Sequence, residues 1–112
     1  MGPHQMFGNI PRSIEYAVGW VADFIEYMVD HEIAVAEATE EGQKAWTQHV
    51  HDCAKGMLAL EVDGWMTGVN KNVAGKQKRS ISRYWGPAGG FRARCDDVKS
   101  RGYEDLRLVK AS

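Results

Sequence analysis

Cysteine is scarce in this chain: two residues in 112, Cys53 and Cys95, far apart and in no metal- or redox-type spacing. A disulfide framework is therefore not what holds it together, and a reduced, cytoplasmic setting with two thiols is expected. No long hydrophobic run occurs, because charges interrupt the apolar stretches every few residues, and no membrane span is expected. Residues 1–10 lack the basic start and apolar centre of a secretory signal. The chain also has no internal repeat and no low-complexity tract. Two catalytic signatures are missing as well. No Gly-x-Gly-x-x-Gly turn is present to hold a dinucleotide pyrophosphate. Ser13, Ser80, Ser82 and Ser100 sit in no Gly-x-Ser-x-Gly elbow. Taken alone, the sequence contains no visible catalytic engine.

What is present is a globular composition, 44% hydrophobic, with four Trp and four Tyr. Aromatic content of this order implies large apolar faces that pack within the chain or outside it. The length allows one domain with a modest core. The net charge of −1 hides an asymmetry: residues 1–70 carry 3 Lys/Arg against 11 Asp/Glu, and residues 71–112 carry 11 against 4. Balances of −8 and +7 attract one another or outside partners, and mutual neutralisation is the simpler reading.

The pattern predicts a mainly α chain with short β segments. Asn9 can cap a first helix with Pro11 in its first turn. Ile14, Ala17, Val18, Val21, Ile25 and Met28 follow helical spacing and predict its buried face. Tyr16, Trp20, Phe24 and Tyr27 form a second stripe, expected to stay exposed on the isolated chain and to promote self-association. Residues 32–39 read as a short connection. Thr39 then caps a second helix with Glu40 and Glu41 in its first turn, running to about Leu58 with Trp46, Val50, Cys53 and Met57 inward.

Residues 1–60 are thus expected as a helical hairpin, and 61–112 as loop, short strand, short helix and wrapping tail. The irregular stretch from Glu61 to Lys78 has the length of a functional or pinned loop. Ser80–Trp85 alternates like a strand, Gly86–Gly90 breaks it, and Phe91, Cys95 and Val98 mark a third helix ending near Gly102. Leu106 and Leu108 predict a final strand.

On a helix, His49 and Cys53 converge at i and i+4, while His51 lies about 200° from His49 round the axis, so the three do not form a metal site. Residues 71–83 contain Lys71, Lys76, Lys78, Arg79 and Arg83 and no acid. Such a run is compatible with nucleic acid, with a dinucleotide phosphate, or with a solvated loop. Few aromatics accompany it and no nucleic-acid motif surrounds it, so no nucleic-acid partner is expected.

The stretch Gly2–Glu15 reads as a loop entering a helix with no strand or phosphate-binding turn before it, which is the expected look of part of a larger protein. Gly2-Pro3, Phe7, Asn9, Pro11 and Ser13-Ile14-Glu15 resemble a loop-to-helix segment of Baeyer–Villiger flavoprotein monooxygenases of the cyclohexanone type. The resemblance continues in order through Trp20-Val21, Ile25–Met28, Glu37–Thr39, Ala45–His49, Trp65, Gly68, Asn70, Gly75-Lys76, Arg92, Cys95 and Gly102–Glu104. It implies the C-terminal part of an α/β, Rossmann-like FAD-binding domain, in an enzyme that uses FAD and NADPH to insert oxygen beside a ketone carbonyl. The partners it implies are the remainder of the monooxygenase chain and a ketone substrate.

It further implies Asn9, Ile10, Trp65 and Asn70 as cofactor-binding residues, and Met6, Phe7, Gly8, Ile10 and Trp65 as lining the substrate pocket. Trp65 would be a mobile-loop tryptophan folding over cofactor and substrate, or else a core anchor of the tail. No catalytic residue and no metal ligand is implied. Two departures stand out. The Asn70 to Gly75-Lys76 spacing is two residues longer than the commoner family loop, which resembles the subgroup acting on bulky or macrocyclic ketones and steroids. The dinucleotide turns, the fingerprint segment and the active-site arginine have no counterpart, so the chain is expected to be inactive alone. The alternative is a non-catalytic helical binding or interaction module.

Overall fold

The computed structural model describes residues 9–112 apart from 65, 76, 77 and 82. Helix α1 spans Ile10–Asp30, strand β1 Ile33–Ala38, helix α2 Glu40–Ala54, helix α3 Ala88–Ser100 and strand β2 Leu106–Lys110. A short 3₁₀ turn covers Leu58–Glu61. The chain is mainly helical with one two-stranded antiparallel sheet.

The helix ends follow the sequence closely. The Asn9 side chain accepts from the Arg12 backbone N–H at 3.2 Å, and Pro11 lies in the first turn, where a missing N–H costs nothing. Thr39 caps α2 by accepting from Gly42 N–H at 3.0 Å, with Glu40 and Glu41 at the positive end of the helix dipole. α3 ends in a Schellman motif. Gly102 takes φ +70°, its N–H donates to Lys99 O at 3.1 Å, and Tyr103 N–H reaches Val98 O at 2.9 Å. Tyr103 itself also lies in the left-handed region, at φ 60°, which costs a residue with a Cβ.

Residues 32–39 are not a plain connection. Ile33–Ala38 is a strand, paired antiparallel with β2 in the register Ala36↔Leu108, Glu37↔Arg107 and Ala38↔Leu106, with an irregularity between Ile33 and Val35. An ion pair between Glu37 and Arg107 crosses the ladder. The Asp105 carbonyl ties the start of β2 to the α2 cap, accepting from Thr39 N–H at 3.1 Å and from the Thr39 hydroxyl at 3.0 Å. A strand therefore sits inside the expected hairpin because a partner 70 residues away completes it. β2 occupies the expected final strand. Ser80–Trp85 holds only an isolated bridge at Tyr84 among its described residues. α2 stops at Ala54, earlier than expected, and Gly56 at φ +80° turns the chain away.

The two stripes of α1 exchange roles. The aromatic stripe is the packed one: Tyr16 meets Phe91 edge-on at 6.5 Å, and Trp20, Phe24 and Tyr27 all contact Tyr103. Trp20 Nε1–H donates to the Cys95 carbonyl at 2.9 Å, and the Tyr16 hydroxyl donates to the Asp96 carboxylate at 2.7 Å. Burial first, and then Asp96, pushes the Tyr16 phenol well above its ordinary value. Ile14, Val18, Val21 and Ile25, expected inside, are instead exposed, at 48–63%. Self-association through an aromatic face is therefore corrected: the face left open is aliphatic. Aromatic rings win the interior because α3 and Tyr103 offer both ring surfaces and backbone carbonyls to their N–H and O–H groups.

Val50 is fully buried and forms the core with Tyr84 and Phe91, against which Tyr16, Trp46, Cys53 and Cys95 pack. Trp46 stacks on Tyr84 at 5.7 Å with 18° between ring planes. The Arg94 guanidinium lies 5.6 Å from the Trp46 ring, in cation–π range. No described helix is long and apolar enough to cross a membrane.

Candidate functional site

Asn9 and Ile10 occupy the start of α1. No acidic side chain stands in the first turn, Arg12 adds a cation, and Ile10 is exposed. The positive end of the helix dipole therefore meets no counter-charge within its own first turn, a setting that favours negative charge in front of it. The Asn9 amide oxygen is committed to the cap, so what this end can offer a ligand is backbone and shape. Met6, Phe7 and Gly8 lie outside the described residues, and so does Trp65.

Asn70 is exposed and builds a turn: its side-chain oxygen accepts from Asn72 N–H at 3.0 Å, and its carbonyl from Val73 N–H at 3.2 Å. This is an Asx turn, which explains Asn at that position without any ligand. Asn9 with Ile10 and Asn70 thus lie on separate elements.

The long irregular segment owes its shape to a residue the sequence reading passed over. Thr67 is 3% exposed, and its hydroxyl sits 2.9 Å from Val62 O and 3.1 Å from Gly64 O while accepting from Gly64 N–H. The Thr67 carbonyl accepts from Ser80 N–H at 2.8 Å, closing the loop. A threonine between two glycines, Gly64 and Gly68, was the available signal. Asp63 completes the anchor by pairing with Lys71 at 2.7 Å and Arg79 at 2.6 Å. Lys71 first, and Arg79 with it, holds the Asp63 carboxyl below the usual carboxylate range. Arg79 also donates to the Leu60 and Glu61 carbonyls. Two cations of the basic run are therefore structural clamps, the solvated-loop alternative in a more organised form.

His49 Nε2 and Cys53 Sγ approach to 3.7 Å, as the i, i+4 spacing requires. Among the described residues no group of three His, Cys, Asp or Glu side chains is placed to hold a metal. Burial raises the Cys95 thiol to about 11, so it stays protonated and unreactive at neutral pH.

His49 is pushed below its ordinary 6.5, by burial first and by Arg94 second, with Asp52 opposing. Its neutral form is favoured in the fold, so the unfolded chain binds more protons on acidification. Its contribution to stability is complete above about pH 6.5 and is lost as pH falls through that value. Denaturation midpoints should drop between pH 7 and pH 5, and His49→Gln should flatten that part of the profile.

A groove of about 470 Å³ runs between α1 and α3, walled by Tyr16, Trp20, Trp46, Phe91 and Val98, with the start of β2 at one end. It is apolar and presents no set of converging acid, base or nucleophile.

No family model matches the chain. Over 99% of its length it is 33% identical to cyclohexanone 1,2-monooxygenase of Acinetobacter sp, and it spans 20% of that protein. It is also 33% identical over 95% of its length to a Baeyer–Villiger monooxygenase of Pseudooceanicola batsensis, of which it spans 19%. The structure of cyclohexanone monooxygenase from Rhodococcus sp. Phi1 bound to NADP+ superposes with a TM-score of 0.84 at 36% identity, over 98% of this chain and 20% of that one. The chain is homologous to one region of the Baeyer–Villiger monooxygenases. It spans about a fifth of the length of these relatives. The homologous region carries the Thr67 and Asp63 anchors, the α1 cap and the Tyr103 cluster as its own structural devices.

Proposed function

We propose that the chain is the C-terminal part of an FAD- and NADPH-dependent Baeyer–Villiger-type monooxygenase of the cytoplasm, which inserts an oxygen atom next to a ketone carbonyl. It completes an α/β, Rossmann-like FAD-binding domain and is inactive by itself. The observation that carries the reading is identity of 33% kept over 99% of the chain, against only 20% of the relative. A free-standing module would not be expected to match so evenly along a fragment of a much longer enzyme.

Bound FAD, reduced by NADPH, supplies the oxygen chemistry in this reading, and the chain's own residues bind, orient and exclude water. The fit at α1 is physical: a helix N-terminus with Asn9, Ile10 and Arg12 and no first-turn acid suits an electron-rich ring edge. Met6, Phe7, Gly8 and Ile10 line the ketone pocket. Trp65 closes over cofactor and substrate, its ring excluding water and its N–H available as a donor. Asn70 holds the turn that follows. The aliphatic face of α1 seats against the remainder of the enzyme.

Two measurements test this. The 112-residue chain alone should give no flavin absorbance after dialysis with FAD and no NADPH oxidation, because it has no pyrophosphate-binding turn. A yellow, NADPH-oxidising preparation of it would overturn the fragment reading. In the longer enzyme, Trp65→Ala should keep FAD bound but slow ketone oxidation and release more hydrogen peroxide per NADPH consumed. Loss of FAD with coupling intact in the surviving enzyme would make Trp65 a structural anchor instead.

A further inference from the structure

An arginine keeps its charge at any ordinary pH and presents its N–H donors in a flat fork, so one that leaves bulk water normally meets a carboxylate. Arg94 departs from that rule. It is half-buried on α3 and has neither an ion pair nor a side-chain hydrogen bond among the described residues. The acids near it on α3 are engaged elsewhere: Asp97 pairs with Arg101 at 3.0 Å, and Asp96 accepts from the Tyr16 hydroxyl at 2.7 Å. What the guanidinium does meet is the Trp46 ring on α2, 5.6 Å from its centroid. A ring face attracts the charge but supplies no oxygen to the fork.

Arg94 and Trp46 both line the groove of about 470 Å³ between α1 and α3. That volume falls in the range of small-ligand pockets, about 300–1,000 Å³, whose walls are mostly apolar with a few placed polar groups. Tyr16, Trp20 and Phe91 make further ring walls. Their polar tips are spent inside the fold, since Trp20 Nε1–H donates to the Cys95 carbonyl at 2.9 Å and Tyr16 to Asp96. Asp105 also borders the groove, and Arg101 answers its carboxylate at 3.4 Å. The groove therefore combines aromatic surface with one cation that no acid of the described chain engages.

Those two features select a ligand by its chemistry. We propose that the groove binds a flat aromatic monocarboxylate, the acid held by the Arg94 fork and the ring lying against Tyr16, Trp20 and Phe91. A planar fork matches the two oxygens of a carboxylate. One unanswered cation suits one negative charge, and Asp105 at the same groove opposes a second. Ring walls favour a flat ring over an alkyl chain, because aromatic pairs gain about two- to tenfold beyond the area they bury. No acid, base or nucleophile converges there, so the site binds rather than turns over its ligand. Every wall belongs to this chain, and the test below does not depend on the monooxygenase reading.

Titration of the ¹⁵N-labelled chain with sodium 2-naphthoate should give saturable shifts centred on the indole N–H groups of Trp20 and Trp46 and on the backbone of residues 91–98. The alcohol 2-naphthalenemethanol, with the same ring and no charge, should bind about fivefold or more weakly. Octanoate, with the charge and no ring, should bind about threefold or more weakly. Arg94→Met should lower the affinity for 2-naphthoate to that of the alcohol, and Arg94→Lys should restore part of it. Ala17→Phe, which sends a ring into the groove from α1, should abolish binding with helical dichroism unchanged. Equal affinity for acid and alcohol, equal affinity for the two acids, or undiminished binding by Arg94→Met would each overturn the proposal. So would shifts centred on Val18 and Ile25 of the aliphatic face. A dimer in sedimentation whose groove is closed to 2-naphthoate would assign the groove to a second copy and overturn it too. Arg94 and Ala17 sit on different helices, so the failure of one variant to fold leaves the other decisive.

Discussion

Tyr103→Ala is expected to cost about 4 kcal/mol, the range of a buried aromatic truncated to a methyl, and in a chain this small that removes most of the folded population at 37 °C. The ring is the hub on which Trp20, Phe24 and Tyr27 converge, at 5.5, 4.5 and 4.9 Å between ring centroids. Deleting it leaves a cavity that α1 and α3 cannot collapse into, because the Schellman hydrogen bonds fix the backbone of residue 103. Alanine keeps the left-handed φ, so no strain is relieved in return. Tyr103→Phe separates ring from hydroxyl. It keeps the packing and deletes a buried O–H with no hydrogen-bond partner among the described residues, so its stability should equal or exceed that of the parent chain. Urea denaturation followed by Trp fluorescence measures both. Equal losses in Ala and Phe variants would mean that the hydroxyl has a structural partner after all.

What the sequence revealed was local. Asn9, Thr39 and Gly102 act within a few residues of themselves, so their caps follow from type and spacing alone. β1 was invisible for the opposite reason. Ile33-Ala34-Val35-Ala36-Glu37-Ala38 contains three alanines and no clean alternation, and only β2, far along the chain, makes it a strand. The stripes of α1 show a different limit. Periodicity showed that two apolar faces exist but could not say which would meet Phe91, Cys95 and Tyr103. Hydrogen-bonding capacity decided that: Tyr16 and Trp20 found a carboxylate and a carbonyl on α3, and no aliphatic side chain can. At the candidate site the resemblance supplied residue roles. Physical reading of the loop supplied Thr67 and Asp63: the Asp63 pairs with Lys71 and Arg79 and the Ser80–Thr67 backbone bond reach across the loop, beyond what a short motif marks.

The aliphatic stripe left open on α1 yields the second large effect. Ile10, Ile14, Val18, Val21, Ile25 and Val29 are 48–71% exposed, every one of them β-branched or aliphatic and none charged. The chain exposes 7775 Å², whereas a compact 12.5 kDa protein is expected to expose about 6,200 Å². The excess of about 1,600 Å² is roughly twice the ~800 Å² that a standard interface buries on each partner. Replacing Val18 and Ile25 together by lysine should leave the helical dichroism of the isolated chain unchanged, since both positions already face solvent, and should make it more soluble and less prone to associate. If the chain belongs to a longer monooxygenase as proposed, the same pair should abolish assembly of that holoenzyme, because each lysine would enter an apolar contact with no counter-charge at a cost of several kcal/mol. Yield of FAD-loaded enzyme reads that outcome directly. If holoenzyme forms normally with both lysines present, α1 faces solvent in the whole protein too, and the apolar surface must be assigned to a partner other than the enzyme's own remaining chain.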